Sequence, residues 1–230
     1  MGITLALETS AKAASVALCD GETLLAQYFQ NSGLTHSRTI LQMTEDILRN
    51  NDVALRDVER IAAARGPGSF TGIRIGVAAA QGLAWGASLK VCGVSTLRAM
   101  SSVFRDETAI LCPVMDARRS EVYNAKFVCG DGGPRRLCGD RALSLEALVS
   151  EAKNDDAPYL LFGDGAVMCY EYFTAQGVPA RLAPEVLRWQ TAYGVALAAL
   201  GVPPVPPESL EPNYLRVSQA ERLRAQPTGE

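Results

Sequence analysis

Two polar turns carry the side chains that could bind phosphate or a metal ion. Glu8, Thr9 and Ser10 end an apolar run at residues 3–7, and Asp116 follows a second apolar run at residues 109–115. Carboxylate and hydroxyl oxygens at a strand end can hold a divalent cation and contact a phosphate group. The same residue types also cap turns structurally, so the sequence leaves a chemical role and a structural role open.

A third turn, Gly163-Asp164-Gly165, resembles a loop that lets backbone approach the base of a nucleotide. Asp164 separates its two glycines, and a side chain at the point of close approach works against binding. Across the first hairpin, Ser15 is expected to face the same place. These turns predict a vestigial nucleotide site, with weak or no ATP binding and no tightly bound cofactor in the isolated chain. Its residues would be Glu8, Thr9, Ser10, Asp116, Gly163 and Asp164.

The sequence contains few side chains that could bind a metal ion or act as a nucleophile. His36 is the only histidine, and the six cysteines are scattered without a C-x-x-C pair. A single imidazole cannot supply a paired-histidine metal site, and no G-x-S-x-G motif marks a nucleophilic serine. The sequence therefore predicts no metal site, no catalytic residue, free thiols, and a surface or capping role for His36.

Residues 65–76, RGPGSFTGIRIG, combine a glycine-rich loop with the start of a helix. The loop could bind an anion through backbone N–H groups, but it lacks the Lys-Ser/Thr ending of a P-loop. A ridge of small side chains lets another element approach closely, although each helical glycine costs about 1 kcal/mol relative to alanine. That element could be the chain's own sheet or a helix of a second subunit. The ridge comprises Gly68, Gly72, Gly76, Ala80 and Ala84.

Composition is that of an ordinary globular protein, with 48% hydrophobic residues and a net charge of -3. This charge gives no reason for the chain to bind nucleic acid unaided. The N-terminal residues lack a signal-peptide pattern, and no apolar run approaches the roughly 18 residues of a membrane span, so we expect a cytoplasmic protein. Several arginines could form a small basic strip or remain solvated charges: Arg118, Arg119, Arg135, Arg136, Arg216, Arg222 and Arg224.

The elements that must position these residues follow from the hydrophobic pattern. A three-stranded antiparallel meander is predicted at 3–8, 15–19 and 22–29, with a hairpin turn at Asp20-Gly21. Helix, strand, helix and strand then follow at 34–50, 60–64, 69–87 and 90–94. This is the order of a ribonuclease-H-like lobe.

The second half starts in the same way, which suggests an internally duplicated lobe. Further elements are predicted as strands at 109–115, 121–129 and 159–162, helices at 144–153 and 190–200, and a proline-rich tail from 201 that ends in disorder at 226–230. The sequence thus predicts an α/β protein with two lobes, at 1–103 and 104–230. The first lobe would carry the dimerisation helices and the second the tail.

Several segments together resemble one protein family, the TsaB (YeaZ) family of bacterial tRNA threonylcarbamoyladenosine proteins. They are ALETS at 6–10, His36, ARGPGSFTGIRIGVAAAQGLAWG at 64–86, GVSTL at 93–97, MDARRSEVY at 115–123 and EPNYLR at 211–216. The resemblance runs in order along nearly the whole chain. It implies the two-lobed fold of the actin-like ATPase (ASKHA) superfamily. Glu8 stands where many members have Asp, and Ser120 where many have Gly.

The resemblance also implies an accessory subunit without catalytic activity. Its partner would be the catalytic paralogue TsaD, which transfers threonylcarbamoyl to adenosine 37 of tRNA, and the ATPase subunit TsaE would join them. tRNA would be reached through the complex, ATP or ADP could lie at an interface of the complex, and the chain alone could form a homodimer. The metallopeptidase label once used for the family does not carry over, because the metal-binding histidines of TsaD are missing here.

The resemblance implies that the chain pairs with its partner through its first two helices. The expected partner surface is therefore the small-residue ridge and the adjoining face of the first helix. Its centre would be Gly72, Gly76 and Ala80. The complete set is His36, Ile40, Met43, Ile47, Gly68, Phe70, Thr71, Gly72, Arg74, Ile75, Gly76, Ala79 and Ala80. The alternative is a free-standing actin-like ATPase or kinase that uses Glu8, Ser10 and Asp116, and nucleotide binding by the isolated chain distinguishes the two.

Overall fold

The first of two β-sheets is built from the opening meander and two parallel strands. The computed structural model describes residues 2–216. Its first sheet has the order β3-β2-β1-β4-β5, antiparallel through the meander and parallel from β1 to β5. This is the predicted ribonuclease-H-like arrangement. The strands are β1 (Ile3–Glu8), β2 (Ala14–Asp20), β3 (Thr23–Gln30), β4 (Arg60–Ala64) and β5 (Lys90–Val94).

Helices cover both faces of this sheet. Leu5 and Leu7 of β1 pack into the core beneath α1 (His36–Asn50) and α2 (Phe70–Ala87). Ala6 and Ala17 belong to the opposite core, which is made mostly of alanines and lies against α7 (Ala192–Ala199). Alternate residues of a strand point to opposite faces, so β1 is buried on both sides. A short helix, α3 (Thr96–Ser101), follows β5 and leads to the second sheet.

The second sheet has the order β10-β7-β6-β11-β12, with a small β8–β9 hairpin attached to β6. The predicted single strand at 121–129 is wrong, because the chain breaks between β7 and β8. At the break the buried side chain of Asn124 donates hydrogen bonds to the carbonyls of Pro113 and Ala125. The strands are β6 (Ile110–Asp116), β7 (Glu121–Asn124), β8 (Phe127–Val128), β9 (Arg135–Arg136), β10 (Arg141–Ser144), β11 (Tyr159–Phe162) and β12 (Ala180–Leu182).

Three helices accompany the second sheet: α4 (Leu145–Ala152), α5 (Ala166–Ala175) and α6 (Glu185–Arg188). From α7 onward the chain returns to the first sheet. Val205 pairs with Val91 in an antiparallel bridge, and Leu210 is buried in the core under α2. The segment 192–210, which the prediction assigns to the second lobe, thus packs with the first lobe. The lobe boundary at 103/104 stays a prediction.

Within residues 2–216, no helix is long and apolar enough to cross a membrane. The predicted disorder at 226–230 and the side chains of Arg222 and Arg224 lie outside the described residues.

Candidate functional site

A cleft of about 580 Å³ lies between the two sheets, where the polar turns face each other. Of the predicted nucleotide site, Ser10, Asp116 and Asp164 line this cleft, whereas Glu8, Thr9 and Gly163 lie behind its walls. Residues 213–216, which sequence reasoning did not assign to the site, complete one side. The lining comprises Ser10, Ala11, Lys12, Gly68, Ser69, Phe70, Thr71, Met115, Asp116, Ala117, Arg118, Tyr123, Asp164, Asn213, Tyr214, Leu215 and Arg216.

The carboxyl group of Glu8 is sealed beneath the first turn. The residue is 0% exposed, and its Oε1 accepts a hydrogen bond from the backbone N–H of Ser10 at 2.6 Å. Burial raises the pKa of Glu8 to about 7, the hydrogen bonds from Ser10 lower it by less, and the charge of Asp164 adds to the rise. In this position Glu8 supports the turn from behind and does not line the cleft.

Replacing Glu8 with glutamine should remove a pH dependence of stability. In the unfolded chain the carboxyl titrates near 4.5, and in the folded chain near 7. Between these values the folded state binds more protons, so the free energy of unfolding falls as pH rises, by up to about 3 kcal/mol. Glutamine stays neutral and keeps the acceptor for Ser10. We expect Glu8→Gln to melt above the parent at about pH 8 and level with it near pH 4.5. Thermal melts that differ equally at both pH values would contradict this.

Asp116 and Asp164 approach each other at the ends of β6 and β11. Gly163 makes this approach feasible, because it has a φ of 112° and a Cβ atom there would lie 2.0 Å from the carbonyl oxygen of Val114. Both carboxylates are held by neighbours: Asp164 accepts from Nε2 of Gln190 at 2.9 Å, and Asp116 accepts from the N–H of Arg118 at 2.6 Å. Loss of solvation by burial raises the pKa of Asp164, although part of the residue is exposed. The charge of Asp116 raises this pKa further.

Two hydroxyl groups of the predicted site serve the fold. Oγ1 of Thr9 donates to the carbonyl of Gly72 at 2.7 Å, which fixes the turn against α2. The hydroxyl of Ser15 does not face the cleft as predicted, because it accepts a hydrogen bond from the N–H of Ala192 at 3.1 Å. It thus holds the first turn of α7, whose first N–H groups have no partner within the helix.

The small-residue ridge of α2 points inward. A Cβ atom at Gly72 would lie 2.1 Å from the carbonyl oxygen of Thr9, one at Gly76 would lie 2.3 Å from Oγ1 of Thr9, and one at Gly68 would lie 2.2 Å from the carbonyl oxygen of Ser10. Ala80 and Ala84 are fully buried. The prediction that Gly72, Gly76 and Ala80 form the centre of a partner surface is therefore wrong, since this ridge packs on the chain's own first turn and sheet.

The prediction that Ile40 and Ile47 of α1 flank the partner surface is also wrong. Ile40 and Ile47 are buried in the core of the first lobe, because α1 lays that face on the sheet. The other members of the predicted set remain partly accessible: Met43, Phe70, Ile75 and Ala79 are half-buried, and Thr71 and Arg74 are exposed.

The opposite face of α2 carries four residues that the predicted partner surface did not include: Ala78, Gly82, Trp85 and Gly86. Thr71, Ile75, Ala78, Gly82 and Trp85 follow one another at intervals of three or four residues, so they share one face of the helix. A Cβ atom at Gly82 or Gly86 would meet nothing within 4 Å. Trp85 is 58% exposed. We call this the outer face of α2, defined by Thr71, Ile75, Ala78, Gly82, Trp85 and Gly86.

His36 is held by a hydrogen bond within the chain and is not a free surface residue. It is half-buried as the first residue of α1, and its Nε2 lies 2.8 Å from the carbonyl oxygen of Ala11. A carbonyl oxygen can only accept, so Nε2 carries the proton and donates. The start of α1 is thereby bound to the turn that lines the cleft.

The remaining reactive groups are placed as follows. All six cysteines are free, and burial raises the pKa of the Cys19 thiol to about 11. Across the described part of the chain, no three His, Cys, Asp or Glu side chains are grouped to hold a metal ion. In the proposed basic strip, Arg136 pairs with Asp140 and Arg216 with Glu121, while Arg118 and Arg119 are exposed.

Known proteins resemble this chain along nearly its whole length. A family model described as TsaD, tRNA N6-adenosine threonylcarbamoyltransferase, matches residues 30–170. The tRNA threonylcarbamoyladenosine biosynthesis protein TsaB of Bacillus subtilis is 28% identical over 228 residues, which cover 94% of this chain and 95% of that protein. The solved structure of YeaZ from Pseudomonas aeruginosa is 31% identical with a TM-score of 0.77, covering 94% of this chain and 100% of that one.

The fold is shared more widely. The ethanolamine utilization protein EutJ from Carboxydothermus hydrogenoformans aligns with a TM-score of 0.54 at 11% identity, over 86% of this chain and 89% of that chain. Two sheets of this topology around a cleft form the α/β fold that is found in the actin-like ATPase (ASKHA) superfamily. The chain belongs to the TsaB (YeaZ) family of tRNA threonylcarbamoyladenosine biosynthesis proteins.

Proposed function

We propose that this chain is an accessory, non-catalytic subunit in the formation of N6-threonylcarbamoyladenosine at position 37 of tRNA. Its task is to bind the catalytic paralogue TsaD through helices α1 and α2. The observation that carries the proposal is the outer face of α2, where Gly82 and Gly86 leave open space beside the exposed ring of Trp85. An aromatic anchor beside small residues suits a closely packed helix of a partner.

A related fold in the partner supports this mode of binding. Residues 30–170 match the TsaD family model, and this range contains both α1 and α2. A paralogue can therefore offer an equivalent helix pair, and two such pairs can pack face to face about a pseudo-twofold axis. The same geometry accounts for a homodimer when the chain is alone.

The proposed lack of a catalytic role is supported by the side chains of the polar turns, which are buried or hydrogen-bonded within the chain. Glu8 is buried below its turn, Thr9 holds α2, and Asp164 is bound by Gln190. Groups already committed to internal hydrogen bonds would have to break them before they could contact a ligand. In this proposal the transferase holds the metal ion and the threonylcarbamoyl adenylate, TsaE supplies ATPase activity, and ATP or ADP binds only at an interface of the complex. Contact with tRNA is made through the complex, in the cytoplasm.

The rival function is a free-standing actin-like ATPase or kinase that uses Ser10, Asp116 and Glu8, and ligand binding by the isolated chain separates the two. We expect purified protein to hold no stoichiometric zinc or iron, to show no peptidase activity, and to bind ATP with a dissociation constant weaker than about 1 mM. Metal analysis and calorimetry check this. A tightly held ion would revive a metalloenzyme, and a micromolar constant for ATP would favour the ATPase.

A further inference from the structure

The chain's last described residues cross from one lobe to the other along one side of the cleft. The segment is anchored in the first lobe by Leu210, which is buried under α2, and Nε2 of Gln81 donates to its carbonyl oxygen at 3.1 Å. Beyond Leu210 the chain continues to residues 213–216, which line one wall of the cleft. We call residues 211–216 the C-terminal strap.

The strap lies directly on the glycine-rich loop of the first lobe. The N–H of Asn213 donates to the carbonyl oxygen of Arg65 at 2.6 Å. Gly66 has a φ of 122°, and a Cβ atom there would lie 2.3 Å from the carbonyl oxygen of Asn213. A side chain at Gly66 would thus displace the strap, in addition to straining the loop.

Tyr214 joins the strap to the first turn of α2. Its ring packs on Phe70 with centroids 4.6 Å apart, and its hydroxyl accepts a hydrogen bond from Nε of Arg74 at 2.9 Å. The guanidinium group of Arg74 also lies 3.9 Å from the centre of the Phe70 ring. Stacking, a charged hydrogen bond and a cation–π contact therefore meet at this end of the strap.

Arg216 joins the other end to the second lobe. It forms an ion pair with Glu121 at the start of β7, and its Nη1 donates to the carbonyl oxygen of Ala117 at 3.1 Å. Ala117 and Glu121 are also bonded to each other, because the N–H of Ala117 donates to the carbonyl oxygen of Glu121 at 3.0 Å. Arg216 thus holds the whole hairpin turn between β6 and β7, which carries Asp116 into the cleft.

We propose that the C-terminal strap is a releasable latch that holds the two lobes together across the cleft and closes its mouth on this side. Besides the backbone hydrogen bond of Asn213, the strap is held by side chains at the surface of the two lobes, so loss of either side-chain contact loosens the segment without removing core contacts. The latch depends only on contacts within this chain and not on the proposed partner.

Amide hydrogen exchange of the purified full chain tests the latch through variants at each end. Tyr214→Ala releases the first-lobe end, Arg216→Ala releases the second-lobe end, and Arg181→Ala, which removes the ion pair to Glu107, serves as control. A latch predicts effects in the opposite lobe. Tyr214→Ala should speed exchange at Ala117 and Glu121, and Arg216→Ala should speed exchange at Asn213, each by about tenfold.

Arg181→Ala should leave these amides unchanged, and the amides of β4 and β11 should stay protected in all three variants. Effects confined to the lobe that carries the altered contact would overturn the proposal, because the strap would then be two independent local contacts. Uniformly faster exchange, in β4 as much as at the strap, would overturn it as well, since that pattern indicates loss of global stability.

Discussion

Gly76→Leu is expected to lower the melting temperature of the isolated chain by roughly 4–8 °C. The reason is steric: a Cβ atom at this position would lie 2.3 Å from Oγ1 of Thr9, and that oxygen is fixed by its hydrogen bond to Gly72. Overpacking of a filled core typically costs 1–3 kcal/mol, and the longer leucine side chain extends further into the turn, so we expect about 3 kcal/mol. For a chain of this size each kcal/mol corresponds to about 2–4 °C.

The helix itself cannot be the cause of such a loss. Leaving glycine gains up to about 1 kcal/mol of helix propensity, so the expected net loss is the overpacking cost minus this gain, or about 2 kcal/mol. Gly82→Leu makes the same substitution in the same helix on the opposite face, and it should melt at or above the parent. Calorimetric melts of the two variants test the orientation of α2, and equal melting temperatures would show that the ridge does not face the core.

Much of the fold could be predicted because buried apolar runs end at clear turns. The strands Arg60–Ala64, Lys90–Val94 and Tyr159–Phe162 have the predicted bounds. Short elements were missed for a physical reason. α6 spans four residues, and neither it nor α3 is long enough to show a helical period, so tertiary contacts decide their conformation.

The orientation of α2 was the largest error, and part of the signal was present in the sequence. Glycine or alanine recurs every four residues on two ridges, one through Gly72 and Gly76 and one through Ala78 and Gly82. Ile73 and Val77 stand next to the first ridge, and both are buried in the core. Large aliphatic residues mark the face that a helix buries, so they identify the inner ridge where small residues alone could not.

The strap could not be predicted from local patterns. EPNYLR was recognised as a family segment, but contacts such as that between Arg74 and Tyr214 join residues 140 positions apart. Similarly, the pairing of Ser15 with α7 depends on where a distant helix packs. Hydroxyl and carboxylate groups at turns suggest chemistry in a sequence, and only the three-dimensional contacts show that several of them serve the fold.

Gly82→Leu is expected to weaken association with the transferase paralogue by a factor of about 5–150 while the isolated chain stays folded. Nothing lies within 4 Å of a Cβ atom at Gly82, so the leucine projects into space that only a partner would fill. Excluding a closely packed helix costs about 1–3 kcal/mol, which gives this range of dissociation constants. Gly139→Leu is the matched control, because a Cβ atom at this loop position between β9 and β10 also meets nothing within 4 Å.

The measurement that tests the central claim most directly is a titration of the transferase paralogue with the parent chain and with both leucine variants, by calorimetry and light scattering. The account predicts a complex with equal numbers of the two chains for the parent and for Gly139→Leu, and weakened binding for Gly82→Leu despite an unchanged or higher melting temperature. Equal binding of Gly82→Leu and Gly139→Leu would contradict the assigned surface. Failure of the parent chain to bind the transferase at all would contradict the proposed function.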